Sequence, residues 1–551
     1  MITKSAGALR RLLPHRGDYA GLHGSWRRDV LAGITVGVVA LPLALAFGIS
    51  SGVGAAAGLI TAVVAGLVAA VFGGSPVQVS GPTGAMAVVL APIVAVHGAG
   101  SIAVVTVLAG VLVLTAGVTG LGRAVTFIPW PVIEGFTLGI AAIIFLQQVP
   151  AAFGATAPAG RRTLPAAWTV ITHADWATAG PTLAVVGLVA LLMIGLPRLH
   201  KAIPESLTAV VAATAVVVGF SLPVATIGKL PSHLPAPMMP NADVDALRTL
   251  IGAALAIAAL AAIESLLSAR VAATMSPAGS YDPDRELVGQ GLASMTAGVF
   301  GGMPATGAIA RTAVNVRSGA RTRLAAIVHS VLLLGVVYLA TGPVAAIPLS
   351  ALAGVLMVTS FRMVSVPTVR KILRSTRSDA LAFVLTAVVT VCFDLIEAVE
   401  IGVVIAAFFS LRTVARRSSV FREELPEPRQ PGDERIALLR LDGAMFFGAA
   451  ERISNAITDA DRPEVSVVII RMSQLGMLDA TGAHTLAEIT QELEARGITV
   501  IIKGVQPEHR ALLANVGIFD ALRHENHVID SLEDAVAHAR SHVSRVGLDV
   551  K

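Results

Sequence analysis

The chain of 551 residues is 54% hydrophobic and only 14% charged, with a net charge of +5. Its aliphatic runs are far longer than a water-soluble core requires, which excludes an ordinary soluble globular protein and makes the bilayer the natural solvent. The basic excess does not indicate nucleic acid, because Lys and Arg flank the apolar runs and form no continuous stripe with interleaved aromatics.

Residues 1–28 read as a cytoplasmic N-terminal segment containing Arg10, Arg11, Arg16, Arg27 and Arg28. They lack the apolar stretch and small-residue cleavage site of a secretory signal. A spanning helix needs about 20 mostly apolar residues. Such runs follow at 30–49, 52–72, 102–120, 177–196 and 206–222, and again at 247–269, 324–341, 380–393 and 398–413. Weaker or broken spans are expected near 125–146, 287–300 and 349–363, and interrupted ones at 76–96 and 304–316. The total is about 14 spans, with 29–223 as a first transmembrane repeat and 247–417 as a second. An even number places both ends on one side. Arg412, Arg416 and Arg417 after the last run, with the basic N-terminus, put that side in the cytoplasm. The only cysteine, Cys392, lies in an apolar run, so neither an intrachain disulfide nor a cysteine metal cluster is expected.

The chain also repeats itself, since Val71-Phe72-Gly73-Gly74-Ser75-Pro76 returns as Val299-Phe300-Gly301-Gly302-Met303-Pro304. The first copy opens the third span and the second the tenth, so the copies enter the membrane from opposite sides as an inverted repeat. Both continue with residues that resist helix. Val77-Gln78-Val79-Ser80 alternates like a short strand before Gly81-Pro82 suits a helix start, and Pro304-Ala305-Thr306-Gly307 is extended before Ala308. Non-helical backbone at that depth is tolerated where protein or a wet cavity satisfies it. Two half-helices would aim free amides and positive dipole ends at one central point, which favours an anion. Two ordinary kinked helices are the alternative.

Few ionisable groups fall inside the runs, and each is costly there, about 2.5–3.5 kcal/mol at a helix centre. Glu264, with Ser265 beside it and Ser268 one turn on, and Arg311, early in the second broken helix, are the leading candidates. If they meet, Arg311 supplies positive charge for an anion while Glu264, with Ser268, balances it or takes a proton. A structural ion pair for Glu264 and a snorkelling anchor for Arg311 are the alternatives. Gln147, Gln148, Glu134, Asp394, Glu397 and Glu400 fall near span ends, where interfacial hydrogen bonding is the usual explanation. No His or Cys cluster has metal spacing, and no metal or cofactor is expected.

After Arg417, residues 418–434 read as a linker and 435–545 as an α/β domain. Strands are expected at 436–441, 465–470 and 498–502, and helices at 481–496 and 507–516. The absence of a phosphate-cradling motif argues against catalysis.

These residues resemble the sulfate permease family, also called solute carrier family 26. Asp29-Val-Leu-Ala-Gly33 and Ala40-Leu-Pro42-Leu-Ala-Leu-Ala-Phe47 look like its first span, and Ser80-Gly81-Pro82-Thr83 like its third. Gly301-Gly302-Met303-Pro304-Ala305-Thr306-Gly307 with Arg311, Asn315 and Gly319-Ala320-Arg321-Thr322 is similar to its tenth. Leu478-Asp479-Ala480-Thr481-Gly482 resembles the loop of STAS domains, the sulfate transporter and anti-sigma antagonist module. The wording of 41–49, 286–291 and 347–356 is most like bacterial members that include bicarbonate transporters.

The resemblance implies an α-helical polytopic membrane protein with 14 transmembrane segments in a seven-plus-seven inverted repeat, followed by a cytoplasmic α/β STAS domain. It further implies a core of spans 1–4 and 8–11, a gate of spans 5–7 and 12–14, a homodimer in a bacterial cytoplasmic membrane, and elevator-like transport of a small anion. Phe47, Ser80, Gly81, Thr83, Gly307, Ala308, Ala310 and Arg311 would line the anion site, with Glu264 as the eighth-span carboxylate. Sodium-coupled members look as if they carry an aspartate at the position of Glu264 and a threonine at that of Ile309. Isoleucine cannot ligate sodium, so a proton is expected ahead of sodium as coupling ion. Thr481 matches a position phosphorylated in some soluble relatives, whereas Asp479 and Thr481 as plain helix caps are the simpler reading. An anion exchanger, a channel, a nucleobase permease and a non-transporting sensor that recruits a cytoplasmic partner through the tail are the competing functions.

Overall fold

Aliphatic runs without regular polar spacing make helices that are apolar on every side, the form a bilayer selects. The computed structural model describes residues 12–19, 21–123, 129–156, 158, 162–199, 203–240, 244–276, 278, 280–392, 401, 404, 408, 419–445 and 465–546. The chain separates into two compact units, 1–403 and 404–551.

In the first unit, α1 (Leu22–Ser50), α2 (Ala55–Phe72), β1 (Ser80–Gly81), α3 (Gly84–His97), α4 (Ser101–Val118), α5 (Trp130–Gln147), α6 (Trp176–Leu199) and α7 (Glu205–Gly219) form the first half. The second half is α8 (Val244–Met275), α9 (Pro283–Val299), β2 (Thr306–Gly307), α10 (Ile309–Arg317), α11 (Leu324–Leu339), α12 (Leu349–Met363) and α13 (Arg377–Cys392). Short helices at Val149–Ala152, Thr163–Thr172, Thr341–Ala345 and Val366–Leu373 lie in the connections. Among the described residues seven helices are long and apolar enough to cross a bilayer, and α3, α7 and α11 are shorter apolar ones. Asp394, Glu397, Glu400 and most of the last expected run fall outside the described residues.

The stretch 287–300, expected to be weak or broken, belongs to the continuous helix α9. Its low hydropathy has a packing cause. Gly289 abuts the backbone of Phe72 and Gly73, Gly291 that of Gly110 and Leu114, and Gly298 the side chains of Val107 and Thr106. A helix that faces protein at such close range needs small residues rather than apolar bulk. Packing also groups the helices: α9 lies mainly on α4 and α2, and α11 on α1 and α2, whereas α13 lies on α5 and α12 on α6 and α5.

Buried carboxylates tie distant segments together. Asp29, fully buried in α1, accepts from the amides of Arg321 (2.6 Å) and Thr322 (3.1 Å) and from the Thr322 hydroxyl (2.8 Å). Glu286 in α9 accepts from the amides of Gly74 (2.8 Å) and Ser75 (3.1 Å) in the first repeat motif, and from Gln290 (2.9 Å). Charge-assisted bonds of this kind satisfy backbone that leaves a helix inside protein.

The second unit contains β3 (Ser419–Glu423), β4 (Ile436–Met445), β5 (Val467–Arg471), β6 (Leu475–Leu478), α14 (Ala480–Ala495), β7 (Thr499–Lys503), α15 (Pro507–Val516), β8 (Val528–Ile529) and α16 (Leu532–Val546). The sheet order is β3-β4-β5-β7-β8, with β3 antiparallel to β4, the rest of the path parallel, and β6 beside β4. Alternation along β4 sorts the two faces. Ala437, Leu439 and Leu441 pack with Leu486 and Leu493 of α14, while Ile436 and Leu438 pack with Ala535 and Ala539 of α16. A parallel sheet covered on both faces yields nearly unbroken apolar strands. The stretch read as a linker opens with β3, an edge strand whose Arg422 and Glu423 give it a polar composition.

Candidate functional site

The two extended segments that follow the repeated motif meet. β1 and β2 pair antiparallel, Ser80 opposite Gly307 and Gly81 opposite Thr306. The Ala308 amide donates to the Val79 carbonyl (2.9 Å), and the Val79 amide to the Thr312 hydroxyl (3.1 Å). The non-helical backbone is thereby satisfied by protein. From this junction α3 departs after its cap, Thr83, and α10 after Ala308.

Arg311, in the first turn of α10 and 2% exposed, reaches across the junction and donates from Nη2 to the Pro82 carbonyl (2.6 Å). Its Nη1 is buried and has no hydrogen-bond partner among the described residues. Gly81 gives it room, because a Cβ there would lie 2.8 Å from Nη1. Glu264, half-buried in α8, accepts at one oxygen, Oε2, from the hydroxyls of Thr83 (2.9 Å) and Thr306 (2.7 Å). Ser265 accepts from the Gly307 amide (3.1 Å). Ser268, expected beside the carboxylate, bonds instead to Thr312 (3.2 Å).

The remaining expected residues fall around this junction in different ways. Phe47 is buried beside the start of α3, where a Cβ on Gly84 would stand 3.2 Å from its ring. Ser80, Gly81, Gly307 and Ala308 are buried in the paired segments, while Ala310, with Ile309, is exposed at the head of α10. Gln147 and Gln148 bond to Ser50 (3.3 and 3.1 Å), and Glu134 accepts from Trp130 (3.1 Å).

Sequence reasoning missed Thr306, Gln78 and His329. Among the described residues both amide atoms of the buried Gln78 are unpartnered, and its Nε2 occupies the space a side chain on Gly307 would take. His329 of α11 is fully buried, and neither of its ring nitrogens has a partner among the described residues. A hydroxyl and an amide inside the two extended stretches were the available signals for Thr306 and Gln78. A polar cavity of about 1230 Å³ lies elsewhere, lined by Asp18, Arg28, Arg285, Arg321 and Arg323 among others, and none of the expected site residues borders it. In the second unit Asp479 caps α14, accepting from the Gly482 amide (2.8 Å), and Thr481 is exposed in the first turn.

Paired broken helices within an all-apolar helical bundle, with a separate α/β unit, define a polytopic membrane protein of the discontinuous-helix class. The profile of the sulfate permease family matches residues 26–386 and that of the STAS domain residues 427–535, and the chain belongs to the sulfate permease family. It is 35% identical over 503 residues to the "Putative sulfate transporter YvdB" of Bacillus subtilis (strain 168), covering 90% of this chain and 94% of that one. It is 31% identical over 527 residues to the bicarbonate transporter BicA of Picosynechococcus sp., covering 90% and 91%. Among solved structures, that of SLC26A9 superposes with a TM-score of 0.82 at 17% identity over 98% of this chain and 94% of that chain, a likeness of fold.

Proposed function

We propose that the protein is a secondary active transporter of small anions of the bicarbonate, sulfate or dicarboxylate class. The observation that carries this reading is the buried, unpartnered Arg311 Nη1 at the point where the two broken helices begin. A buried guanidinium nitrogen without a partner calls for an acceptor, and an anion held there also gains from the helix N-termini. Phe47, Ser80, Gly81, Thr83, Gly307, Ala308, Ala310 and Arg311 form the anion site in this reading, with the Gln78 amide as a further donor.

Glu264 is the coupling group, and Ser268, one turn on, steadies the junction beside it through its bond to Thr312. Proton coupling is favoured over sodium because Ile309 offers no oxygen at the head of α10, where a hard cation would need several. A proton on Glu264 Oε2 would weaken its two threonine bonds, which join α3 to β2. Loading the site and loosening the junction are then linked. The packing of α9 and α11 on α1, α2 and α4, apart from the α5, α6, α12 and α13 set, supports an elevator motion of one group against the other. Residues 29–223 and 247–417 supply the two repeats, 418–434 the link to the STAS domain of 435–545, and the chain works as a homodimer in a bacterial cytoplasmic membrane with both termini cytoplasmic.

Uptake of radiolabelled bicarbonate, sulfate and dicarboxylates into proteoliposomes, with imposed proton or sodium gradients, tests the reading. Accumulation driven by the proton gradient is expected. Specific binding without flux would make the chain a sensor instead, and flux indifferent to every gradient would make it a channel or exchanger.

A further inference from the structure

We propose that His527, His538 and His542 of the STAS domain form a binding site for a divalent transition cation, Zn2+ by the chemistry of the ligands. His538 and His542 stand four residues apart on α16, on one face of the helix. His527 approaches from the short turn Glu525–His527 that leads into β8. The ring centroids lie 4.9 Å apart for His538 and His542, 5.2 Å for His527 and His542, and 5.4 Å for His527 and His538. Each residue offers one ring nitrogen within 4.8 Å of the other two.

Two observations select a metal over simple ring packing. The His538 and His542 Nε2 atoms are 3.3 Å apart, and tetrahedral Zn2+ with bonds of about 2.0–2.1 Å sets its ligand atoms about 3.3–3.4 Å apart. His527 is 1% exposed; the Val500 backbone lies near its ring, and among the described residues neither ring nitrogen has a partner at full hydrogen-bond geometry. Buried polar atoms in that state are rare; here the lone pair faces two further imidazoles. A hydrogen bond between His538 and His542 accounts for their contact but leaves His527 orphaned.

The surrounding charge does not forbid a cation. Arg523 and Arg545 lie near His542, but Arg523 is engaged by Glu494 at 2.8 Å. Water completes a tetrahedral shell of three imidazoles, and His524, its ring 5.8 Å from that of His527, stands beside the site. Imidazole nitrogens select Zn2+, Cu2+ or Ni2+ over Mg2+ or Ca2+. A bound ion would clamp the C-terminal helix α16 to the turn before β8, so the metal would stabilise the STAS domain.

The full chain, purified in detergent and stripped with EDTA, is titrated with Zn2+ against a chromophoric chelator, and metal retained after dialysis is counted. Co2+ is added separately and its visible absorption recorded. The comparison protein carries His538→Gln and His542→Gln, both at half-exposed positions where folding is spared, and His484→Gln serves as an exposed-histidine control. The wild type and the control should bind one ion more than the double variant, which should lose affinity about tenfold or more. Co2+ in the wild type should give the intense bands of tetrahedral nitrogen ligation, and Zn2+ should raise the melting temperature of the wild type and of the control but not of the double variant. Equal retention and affinity in wild type and double variant, or only the weak bands of hydrated Co2+, would overturn the site.

Discussion

Thr83 and Thr306 are separated by 223 positions in the chain, yet their hydroxyl oxygens lie 3.2 Å apart, and both hydroxyls donate to the same oxygen of Glu264. One carboxylate therefore joins the cap of the first broken helix to the extended stretch before the second. Glu264→Gln removes the titratable group but leaves a carbonyl oxygen that can accept from both threonines. Proton-driven uptake should fall at least about tenfold, while anion affinity, measured by calorimetry, should change by less than about threefold. Undiminished pH-dependent uptake by this variant would remove Glu264 from coupling.

Thr306→Val keeps the shape of the side chain and deletes one donor to the carboxylate. A hydrogen bond to a charged group contributes about 1.5–3 kcal/mol, so proton-driven uptake should fall about tenfold or more. Undiminished uptake in Thr306→Val and also in Thr83→Val would show that these hydroxyls do not hold the coupling group.

Arg311 spends one nitrogen on the Pro82 carbonyl and leaves Nη1 unpartnered. Arg311→Ala should weaken anion binding by about 1.5–3 kcal/mol, roughly ten- to a hundredfold in Kd. Arg311→Lys retains charge but not the planar fork that spans Pro82 and the ligand position, so it should recover only part of the affinity. Equal affinity in all three proteins would place the anion elsewhere.

How much of this was visible in the residues depends on the kind of signal. The VFGGxP repeat located both breaks, because Gly and Pro next to polar residues in an apolar span mark backbone that cannot be helical. The cost of charge in a span singled out Glu264 and Arg311; that one would hold Thr83 and Thr306 and the other the Pro82 carbonyl was not legible. Helical spacing relates Ser268 to Glu264 but carries no information about Thr312, 44 residues away, with which its hydroxyl bonds. The continuity of α9 was hidden for a related reason: hydropathy reports on lipid contact, and Gly289 and Gly291 face backbone of α2 and α4 instead. His527 meets His538 and His542 only through the sheet order that brings β8 beside β7 and α16 back across β5 and β7.

Gly289 offers a test of that packing. Any side chain there meets the backbone of Gly73 and Phe72, which is fixed by the Glu286 bonds to Gly74 and Ser75. Overpacking a tight contact costs about 1–3 kcal/mol. Gly289→Ala should therefore lower the melting temperature and reduce the folded yield in detergent, whereas Gly252→Ala, with open space around its Cβ, should not.

Asp18 gives a prediction whose size depends on pH. It precedes α1 and is held by Arg285 through two bonds, Nη1 to Oδ1 (2.9 Å) and Nη2 to Oδ2 (2.6 Å), with Arg323 3.6 Å away. Burial by itself would raise the carboxyl, but the Arg285 hydrogen bond, the His15 amide and the two arginine charges outweigh it and lower the pKa from 3.8 to about 2. A carboxyl lowered in the folded state contributes stability that is complete above its unfolded value and is lost as pH falls through the folded one. Asp18→Asn should therefore be less stable than the wild type by a constant margin from pH 5 to 8, on the order of 3 kcal/mol for a broken buried pair. The margin should shrink as pH falls from about 4 toward 2, where the wild-type carboxyl is itself protonated. Melting curves of both proteins across that range check it; a margin that widened in acid would show that Arg285 and Arg323 do not hold Asp18 as a carboxylate.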